Sequence, residues 1–386
     1  MSQAALDALP AVLAALLGTA LVSLVLTPLA IRYAGRLSAI DEPDSARRVH
    51  ETPIPRVGGI AVAGSFLIVG VGGLVLNEFF HFVPPLRAVR TPELIALFLG
   101  VGVGGVLGYM DDRLQLRARW QLIGQFVLAF IAIALGIAIT RVPNPFGDAA
   151  FQVEGGLVLD LAGYAIDVGV AAVTTLWIVG MLNSVNFVDG LDGLSGGIAL
   201  IGVTTLGIVS LTGAPIQPAV AVMCALMAGA LLGFLRYNFH PARVFIGTSG
   251  VFAVGYALAV LSVLGSAKLT VALLVLGVPI IDTFWIIIRR TVAGRSPFSA
   301  DRGHFHHKLL DLGLSHRQAV LLIYAICIVL AALSLALPTS TQVTAFLLIV
   351  LGGGLLLYLL TRRAREALDR SSYDDNEAES GSSEKA

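Results

Sequence analysis

Long apolar runs alternate with short polar segments along most of this chain. A helix needs about 20 largely apolar residues to cross about 30 Å of hydrocarbon. By that measure the pattern predicts about eleven membrane-spanning helices, at 9–33, 58–76, 94–110, 121–140, 166–182, 194–212, 216–235, 244–265, 268–289, 318–337 and 342–361. The connection 141–165 between two of these helices has the proline, glycine and alternating apolar residues that indicate a small hairpin or turn. The sequence therefore predicts an all-α polytopic membrane protein.

Composition agrees with this class of protein. Hydrophobic residues make up 56% of the chain, charged residues 13%, and the mean hydropathy is +0.87. Soluble proteins carry about 25% charged residues. The formal net charge is zero, so the overall charge gives no reason to expect a nucleic-acid partner. Cys224 and Cys327 lie in apolar runs and are expected to be small buried hydrophobes, not a disulfide or metal ligands.

The basic residues predict how the chain is oriented. With the N-terminus outside, the cytoplasmic segments contain 21 of the 25 Lys and Arg residues and the outer segments contain the remaining four. Such an excess on the inner side is the pattern that orients membrane proteins. The C-terminus is then cytoplasmic. Residues 1–365 form one integral domain of the cell (inner) membrane with its polar motifs on the cytoplasmic face, and residues 366–386 form a disordered tail.

A polar stretch, NSVNFVDGLDGLSGG at 183–197, lies between two apolar runs. It contains four glycines and the side chains of Asn183, Asn186, Asp189 and Asp192. Ionisable groups at a membrane boundary are costly unless they face a polar cavity, so they indicate a functional site. Glycine lets the backbone bend and approach a ligand closely. The alternative, that Asn and Asp only cap the next helix, needs one such residue and not four.

A second group of carboxylates ends the third predicted span, in GYMDDRLQLRARWQ. Adjacent residues on a helix point about 100° apart, so Asp111 and Asp112 can serve one site only near a helix end. Paired carboxylates at such a place suit Mg²⁺, which takes one or two carboxylates together with substrate oxygens. The alternative is a span terminator whose acids are offset by the arginines that follow.

Two further cytoplasmic loops carry basic groups. The first contains Arg47, Arg48 and His50, which either attract lipid headgroups or hold a phosphate by forked hydrogen bonds. The second contains His304, His306 and His307. These histidines suit a soft metal or a pyrophosphate, with Asp301 placed to orient an imidazole, or they form a solvated surface cluster. Asp282 lies inside an apolar span and needs a partner, for which the arginines at 289–290 are candidates.

Taken together, these motifs resemble those of one membrane enzyme family. DEPDSARRVH, PRVGG, GYMDD, NSVNFVDGLDGLSGG, PIIDTFWIIIRR and DRGHFHHKLLDLG occur in this order between about residues 32 and 335. In this combination the chain resembles the polyprenyl-phosphate N-acetylhexosamine-1-phosphate transferases of glycosyltransferase family 4. The segment HFHHKLLDLG is nearer to the branch that uses GlcNAc than to the related enzyme that uses UDP-N-acetylmuramoyl-pentapeptide.

The resemblance implies a reaction and its participants. N-acetylhexosamine-1-phosphate, expected to be GlcNAc-1-phosphate, moves from a UDP-sugar to an undecaprenyl-type phosphate, which yields a lipid-linked pyrophosphate sugar and UMP and starts a cell-envelope polysaccharide. The implied cofactor is Mg²⁺, with Mn²⁺ as an alternative. The implied partners are UDP-N-acetylhexosamine, the polyprenyl phosphate and membrane lipids. The small-residue faces 100–108 and 352–354 could pack within a subunit or between the subunits of a homodimer.

The resemblance also implies roles for individual residues. Asp111 would engage the acceptor phosphate, and Asp112, Asp189 and Asp192 would hold the metal ion. These four aspartates are the implied catalytic residues. The implied substrate-binding residues are Arg47, Arg48, His50, Arg119, Asn183, Asn186, His304, His306 and His307.

Two positions depart from the family pattern. Thr248, in FIGTSGV, stands where the family has an aspartate that binds Mg²⁺, and a neutral hydroxyl is a much weaker ligand. Relatives often carry lysine near Arg119 and Gln121, and arginine is not equivalent to lysine at a tight site. The alternative to an active transferase is therefore a catalytically silent relative that binds lipid phosphate or nucleotide-sugar. A transporter fits this sequence less well, because the ionisable residues of a transporter should lie near the middle of its membrane spans.

Overall fold

The computed structural model describes residues 2–37, 40–41, 53–80, 89–144, 150–161, 164–264, 268–292, 294, 304–339, 341–353 and 355. The helices are α1 (Gln3–Leu37), α2 (Gly58–Phe80), α3 (Thr91–Leu114), α4 (Ala118–Ala134), α5 (Val168–Val188), α6 (Leu194–Thr212), α7 (Pro218–Asn238), α8 (Gly247–Val263), α9 (Lys268–Val275), α10 (Gly277–Val292), α11 (Phe305–Asp311), α12 (His316–Ala336) and α13 (Thr341–Gly353). Arg47, Arg48, His50 and the tail 366–386 lie outside the described residues.

Six short strands form three antiparallel pairs in the described part of the chain. They are β1 (Ile40–Asp41) with β2 (Ile54–Pro55), β3 (Arg141–Val142) with β4 (Phe151–Gln152), and β5 (Val158–Leu161) with β6 (Tyr164–Asp167). In the last pair Val158 lies opposite Asp167 and Leu161 opposite Tyr164. The second and third pairs confirm the hairpin predicted for the connection 141–165.

Seven of the described helices are long and apolar enough to cross a membrane: α1, α2, α3, α5, α6, α7 and α12. The α9–α10 pair counts as an eighth only if its two helices are taken together, since they meet at a bend of 75°. The remaining apolar helices, α4, α8 and α13, are shorter. Each predicted span thus coincides with a helix or with the bent pair. This confirms a polytopic helical membrane protein, while helix length alone does not give eleven crossings.

The bend between α9 and α10 has a local cause. Leu276 separates the two helices, and Pro279 lies in the first turn of α10. Proline is tolerated in a first turn, where its missing N–H is not needed, but it interrupts a helix that runs through it. The single straight span predicted at 268–289 is therefore replaced by two helices, and the buried Asp282 follows the break.

The centre of the helix bundle is α8. Fifteen of its 17 residues are buried, and it packs against α2, α3 and α5. Neighbouring helices, and not lipid, therefore surround most of α8. Its 17 residues are sufficient because the helix does not have to span the hydrocarbon exposed to lipid. Cys224 of α7 and Cys327 of α12 are buried free thiols, as the sequence predicts.

Glycines allow α3 to approach α8 closely. A Cβ atom on Gly100 would lie 2.1 Å from the ring of Tyr256, and one on Gly108 would lie 2.3 Å from the carbonyl oxygen of Thr248. The small-residue face 100–108 therefore packs within the chain and not between subunits. This close packing brings the last turn of α3 beside the first turn of α8, where the polar residues gather.

Candidate active site

The aspartate pair at the end of α3 lies against the first turn of α8. Asp112 accepts hydrogen bonds from the backbone N–H groups of Thr248 (2.8 Å) and Ser249 (2.9 Å). Asp111 accepts one from the hydroxyl of Thr248 (2.8 Å) and one from the side chain of Gln121 in α4 (2.9 Å). The N–H groups at a helix N-terminus lack partners within the helix and favour a negative charge. Both aspartates therefore converge on one place although they are adjacent on α3.

Gly247 makes this contact possible. Its φ is +66°, in the left-handed region that favours glycine. A Cβ atom there would lie 2.7 Å from Oδ2 of Asp112 and 2.7 Å from the carbonyl oxygen of Arg56. The side chain of Arg56 also belongs to this site, because its charge acts on both Asp112 and Asp189 and its buried Nε has no hydrogen-bond partner in the described part of the chain.

Asp189 follows α5 and begins the turn to α6. Its Oδ1 accepts a hydrogen bond from the hydroxyl of Ser195 at 2.6 Å. Burial raises the pKa of this carboxyl to about 6; the Ser195 bond and the charge of Arg56 lower it, and the charges of Asp112 and Asp192 raise it. These four neighbours place Asp189 between the first turn of α8 and the rest of its own turn.

Asp192 connects the turn between α5 and α6 to the loop between α7 and α8 and to α12. Its Oδ2 accepts hydrogen bonds from Nδ1 of His240 (2.8 Å) and the backbone N–H of Ala242 (3.0 Å). Its own N–H donates to Nε2 of His316 at 2.8 Å, and the rings of His240 and His316 stack with centroids 4.4 Å apart. One residue further on, the hydroxyl of Tyr324 donates to the carbonyl oxygen of Gly193. The loop between α7 and α8 and the first half of α12 therefore fix the Asp192 turn.

The two asparagines occupy different surroundings. The amide of Asn183 donates to the side-chain oxygen of Gln125 in α4 and to the carbonyl oxygen of Val179, both at 2.8 Å. Asn186 is half-buried, and its carbonyl oxygen accepts the N–H of Asp189 at 3.2 Å. Asn183 thus joins α5 to α4 on the side of α4 that also contacts Asp111.

The histidine segment folds back onto the 183–197 stretch. Nδ1 of His304 contacts Oδ2 of Asp282 at 2.9 Å, and the N–H of Phe305 donates to Oδ1 of the same carboxylate at 2.9 Å. These are the partners of Asp282 within the described residues, whereas the sequence suggested the arginines at 289–290. His306 is 2% exposed, and a Cβ atom on Gly190 would lie 2.2 Å from its Nε2. Burial, then the neighbouring histidines, lowers the pKa of His306 well below its usual value, so its ring is neutral.

Carboxylate oxygens here fit a hard divalent cation. Mg²⁺ takes one or two carboxylates and completes its coordination with water and substrate phosphates. Oδ2 of Asp189 and Oδ1 of Asp192 accept none of the described hydrogen bonds, and Asp112 and Asp192 are close enough to act on Asp189 electrostatically. The oxygen-rich donor set that the sequence assigns to the metal therefore suits Mg²⁺ in its chemistry.

Two groups of one carboxylate and two imidazoles also bring their ligand atoms within 4.8 Å of one another. They are Asp282 with His304 and His306, and Asp192 with His240 and His316. In each group the two rings are nearly parallel, at 14° and 16°. Two imidazoles that share one ion must direct nitrogen lone pairs at a common point, which parallel stacked rings do not do. The geometry favours stacked histidines over the soft-metal interpretation.

The structure brings together most of the predicted site residues that it describes. Three of the aspartates, Asp111, Asp112 and Asp189, meet around α8, and His304, His306 and His307 lie in one cluster beside Gly190. Arg119 differs, because its side chain is exposed and lies over the ring of Trp120 at 5.5 Å. Gln121 is the residue of that helix that reaches Asp111.

Sequence reasoning missed several residues of this site. Gln121 and Gln125 are four apart on α4, a spacing that places both on one face, and the pattern could have revealed them. Arg56 belongs to the same basic cluster as Arg47, Arg48 and His50, but the sequence did not assign it to the carboxylates. His240 and His316 carry no local signal, since each acts through contact with a distant segment.

An apolar cavity of about 220 Å³ lies between α5, α9, α10 and strand β3, and it extends along α5 from Val173 to Ser184. Its lining includes Leu176, Trp177, Met181, Leu273 and Phe284. Leu176 and Phe284 are exposed at the outer surface of the bundle. The cavity therefore opens on the lipid-facing side, next to the helix that carries Asn183.

Comparisons with known proteins agree with this arrangement. The family model described as glycosyl transferase family 4 matches residues 94–266. The chain is 34% identical over 325 residues to the probable undecaprenyl-phosphate N-acetylglucosaminyl 1-phosphate transferase of Bacillus subtilis, covering 82% of each chain. It is 34% identical over 363 residues to the decaprenyl-phosphate N-acetylglucosaminephosphotransferase of Mycobacterium tuberculosis, covering 87% of this chain and 86% of that one.

A more distant branch also matches. The phospho-N-acetylmuramoyl-pentapeptide-transferase of Desulforudis audaxviator is 33% identical over 336 residues, which cover 82% of this chain and 95% of that protein. The similarity to all three relatives extends over more than two thirds of each, well beyond the region that carries the aspartates. On this evidence the chain is a member of glycosyl transferase family 4.

Proposed function

We propose that this chain transfers GlcNAc-1-phosphate from UDP-GlcNAc to a polyprenyl phosphate of the undecaprenyl type, which yields a lipid-linked pyrophosphate sugar and UMP. The observation that carries the proposal is the meeting of Asp111, Asp112 and Asp189 with Arg56 at one end of the bundle. The names of the Bacillus and Mycobacterium relatives support the sugar and the class of acceptor.

The reaction exchanges one phosphorus–oxygen bond for another. An oxygen of the acceptor phosphate attacks the phosphorus that carries the sugar, and the bond from that phosphorus to the bridging oxygen breaks, so that UMP leaves with the electron pair. The acceptor phosphomonoester has a second pKa of about 6 and is largely ionised at neutral pH. A strong base is therefore unnecessary, and the chain has to supply positioning and neutralisation of negative charge.

The described residues divide these tasks. Arg56 places a guanidinium, whose Nε has no hydrogen-bond partner among the described residues, near the carboxylates, where it can donate to phosphate oxygens. Asp111 would engage the acceptor phosphate by accepting a hydrogen bond from that phosphate when it still carries a proton. The neutral His306 and its neighbours line the side formed by Gly190, where the diphosphate or sugar of the donor would lie.

Mg²⁺, or Mn²⁺ in its place, would be held by Asp112, Asp189 and Asp192. When bound, such an ion neutralises the diphosphate and stabilises the charge that develops on the departing phosphate. Asp112 differs from the other two because each of its oxygens already accepts one backbone N–H of α8. It retains a second acceptor position on each oxygen.

The apolar cavity supports a lipid acceptor. A polyprenyl chain needs an apolar path from the bilayer to the reacting phosphate, and the cavity next to α5 provides about 220 Å³ of such space. With the site on the cytoplasmic face of the inner membrane, the product would start a cell-envelope polysaccharide. Association into a homodimer is not required, since all the described site residues come from one chain.

The test is UMP release by the purified protein supplied with UDP-GlcNAc and undecaprenyl phosphate, first with Mg²⁺ or Mn²⁺ and then with EDTA. We expect release that needs both substrates and stops in EDTA. Repeating the assay with UDP-GalNAc and UDP-N-acetylmuramoyl-pentapeptide determines the donor. Protein that binds nucleotide-sugar or lipid phosphate but releases no UMP with any donor would instead be the catalytically silent relative.

A further inference from the structure

The two oxygens of the Asp111 carboxylate are held separately by two neutral groups. Oδ1 accepts a hydrogen bond from Nε2 of Gln121 at 2.9 Å, and Oδ2 accepts one from the hydroxyl of Thr248 at 2.8 Å. The two donors come from different helices, α4 and α8. Asp111 itself is only 7% exposed, so these contacts determine the direction in which its remaining lone pairs point.

We propose that Thr248 and Gln121 are positioning residues that fix the Asp111 carboxylate for the acceptor phosphate. This inference rests on the proposed function. The role differs from the one that an aspartate at position 248 would have, because the hydroxyl donates to Asp111 and does not replace a metal ligand. At position 248, a hydrogen-bond donor to Asp111 therefore stands in place of the metal ligand that the family has.

The neutrality of both donors matters. A lysine or arginine at either position would form an ion pair with Asp111 and cancel its charge. A hydroxyl and an amide each occupy one acceptor position on one oxygen and leave the second position available. Asp111 therefore keeps lone pairs with which to accept a hydrogen bond from the acceptor phosphate.

Thr248 is also held rigidly enough to act in this way. Its backbone N–H donates to Oδ1 of Asp112 at 2.8 Å while its hydroxyl donates to Asp111. The two hydrogen bonds hold the backbone and the hydroxyl of Thr248 at the same time. On the opposite side Gly108 lies so close that a Cβ atom would be 2.3 Å from the carbonyl oxygen of Thr248. One residue thereby links both aspartates to α8.

An aspartate at position 248 would behave differently. It would place an acceptor where the hydroxyl now donates, so that two carboxylates faced each other with no proton between them. Like charges at such a distance repel unless a cation lies between them. In the wild type, by contrast, the placement of Asp111 needs no ion.

The principal experiment compares Thr248→Val, which keeps the shape and removes the hydroxyl, with Thr248→Ser, which keeps the hydroxyl. We expect Thr248→Val to lower kcat about tenfold or more, since a hydrogen bond to a charged group is lost. KM for UDP-GlcNAc should stay within about twofold, and Thr248→Ser should restore most of the rate. Gln121→Leu should resemble Thr248→Val. The matched control is Thr205→Val in α6, where the hydroxyl donates to the carbonyl oxygen of Ile201 within its own helix.

A second measurement does not depend on turnover. Thermal unfolding of Thr248→Val, Asp111→Asn and the double variant gives the coupling between the two side chains. We expect a clear coupling, and we expect Thr248→Asp to unfold at a lower temperature than wild type unless Mg²⁺ is added, whereas wild type responds much less to Mg²⁺. Because these melts need no substrate, they test the contact separately from the reaction.

The outcomes separate the two proposals. A wild type that releases no UMP with any donor overturns the proposed function. A wild type that turns over, together with a Thr248→Val variant of unchanged kcat, overturns the positioning role. The role is also overturned if Thr248→Ser is as impaired as Thr248→Val, or if the melts show no coupling between Thr248 and Asp111.

Discussion

At the scale of single residues, Gly190 shows that a position without a side chain can make room for a residue of the site. The glycines of the 183–197 stretch indicate close approach to a ligand, but the sequence does not say to what. In the structure Gly190 leaves space for the ring of His306, which reaches it from a segment far along the chain. The buried imidazole then has its Nε2 directed at the turn that carries Asp189, without a hydrogen-bond partner among the described residues.

Gly190→Ala tests this contact. The added Cβ would lie 2.2 Å from Nε2 of His306 and has to displace the ring. We expect UMP release to fall about tenfold or more, because small displacements in a phosphoryl-transfer site are costly, while the folded protein is retained. Gly73→Ala in α2 is the control, since a Cβ there meets nothing within 4 Å. Equal rates for the two variants would show that His306 is not positioned by Gly190.

Several site contacts could not be predicted because they join residues that are distant in the sequence. Asp282 needs a partner, and its own helix suggested the arginines at 289–290, yet it binds His304. Arg119 has the charge expected near the aspartates, yet Gln121 makes the contact. Local pattern gives the type of residue that a site needs, whereas the choice between neighbours depends on how the helices are rotated against each other.

Element packing explains why two adjacent aspartates act together. On the interior of a helix their side chains would point about 100° apart. At the end of α3 they instead flank the first turn of α8, which Asp112 caps through two N–H groups. The glycine face of α3 makes this possible by letting the helices approach. The sequence predicted both the pair and the small-residue face, but not that one serves the other.

Gly108→Ala should separate these two helices. Its Cβ would lie 2.3 Å from the backbone oxygen of Thr248, which cannot move aside as a side chain could. We expect a loss of about 1–3 kcal/mol in the free energy of unfolding, typical of overpacking, and a larger loss of UMP release because Asp111 and Thr248 move apart. Gly102→Ala on the same helix is the control, since its Cβ would lie 3.5 Å from Leu67 in ordinary contact. Similar melting temperatures for both would contradict the close packing.

Asp167 links the outer hairpin to α5 and gives a pH-dependent stability. Hydrogen bonds from backbone N–H groups, chiefly that of Val170 at 3.1 Å, hold the pKa of Asp167 below its usual value. An acid whose pKa is lowered by folding contributes stability above its unfolded pKa of about 3.9. That contribution is lost as the pH falls through the lower folded value.

Asp167→Asn removes the charge and keeps a side chain that can cap the helix. We expect it to melt below wild type at pH 7, and we expect the difference to shrink as the pH falls below about 4 and to disappear once the pH has passed the lowered pKa of folded Asp167, where the wild-type side chain is protonated too. Melting curves of both proteins at several pH values make the measurement. A difference that stays constant over this range would mean that the charge of Asp167 contributes nothing.

At the scale of the whole molecule, the contacts within the site limit how many times the chain can cross the membrane. Gln121 in the first turn of α4 bonds Asp111 at the end of α3, and Gln125 near the middle of α4 bonds Asn183 near the end of α5, so we infer that the start of α4 and the end of α5 lie on the same side. If α5 crosses, for which it is long enough, we expect α4 to cross as well, although 17 residues give only about 25 Å. The same reasoning applies to α8 and the α9–α10 pair, which lead from Thr248 back to His304 and Asp282.

Eleven crossings, with the N-terminus opposite the active site and the C-terminus beside it, are a prediction of the sequence. Single cysteines test this in a background with Cys224→Ala and Cys327→Ala, using Ser2→Cys, Arg243→Cys and Ala386→Cys. We expect a membrane-impermeant maleimide to label Ser2→Cys in intact cells, and the other two only after permeabilisation. Labelling of Ser2→Cys and Arg243→Cys from the same side would mean that the seven helices between them make an even number of crossings. In that case α4 would not span, and the Gln125–Asn183 contact could not form as described.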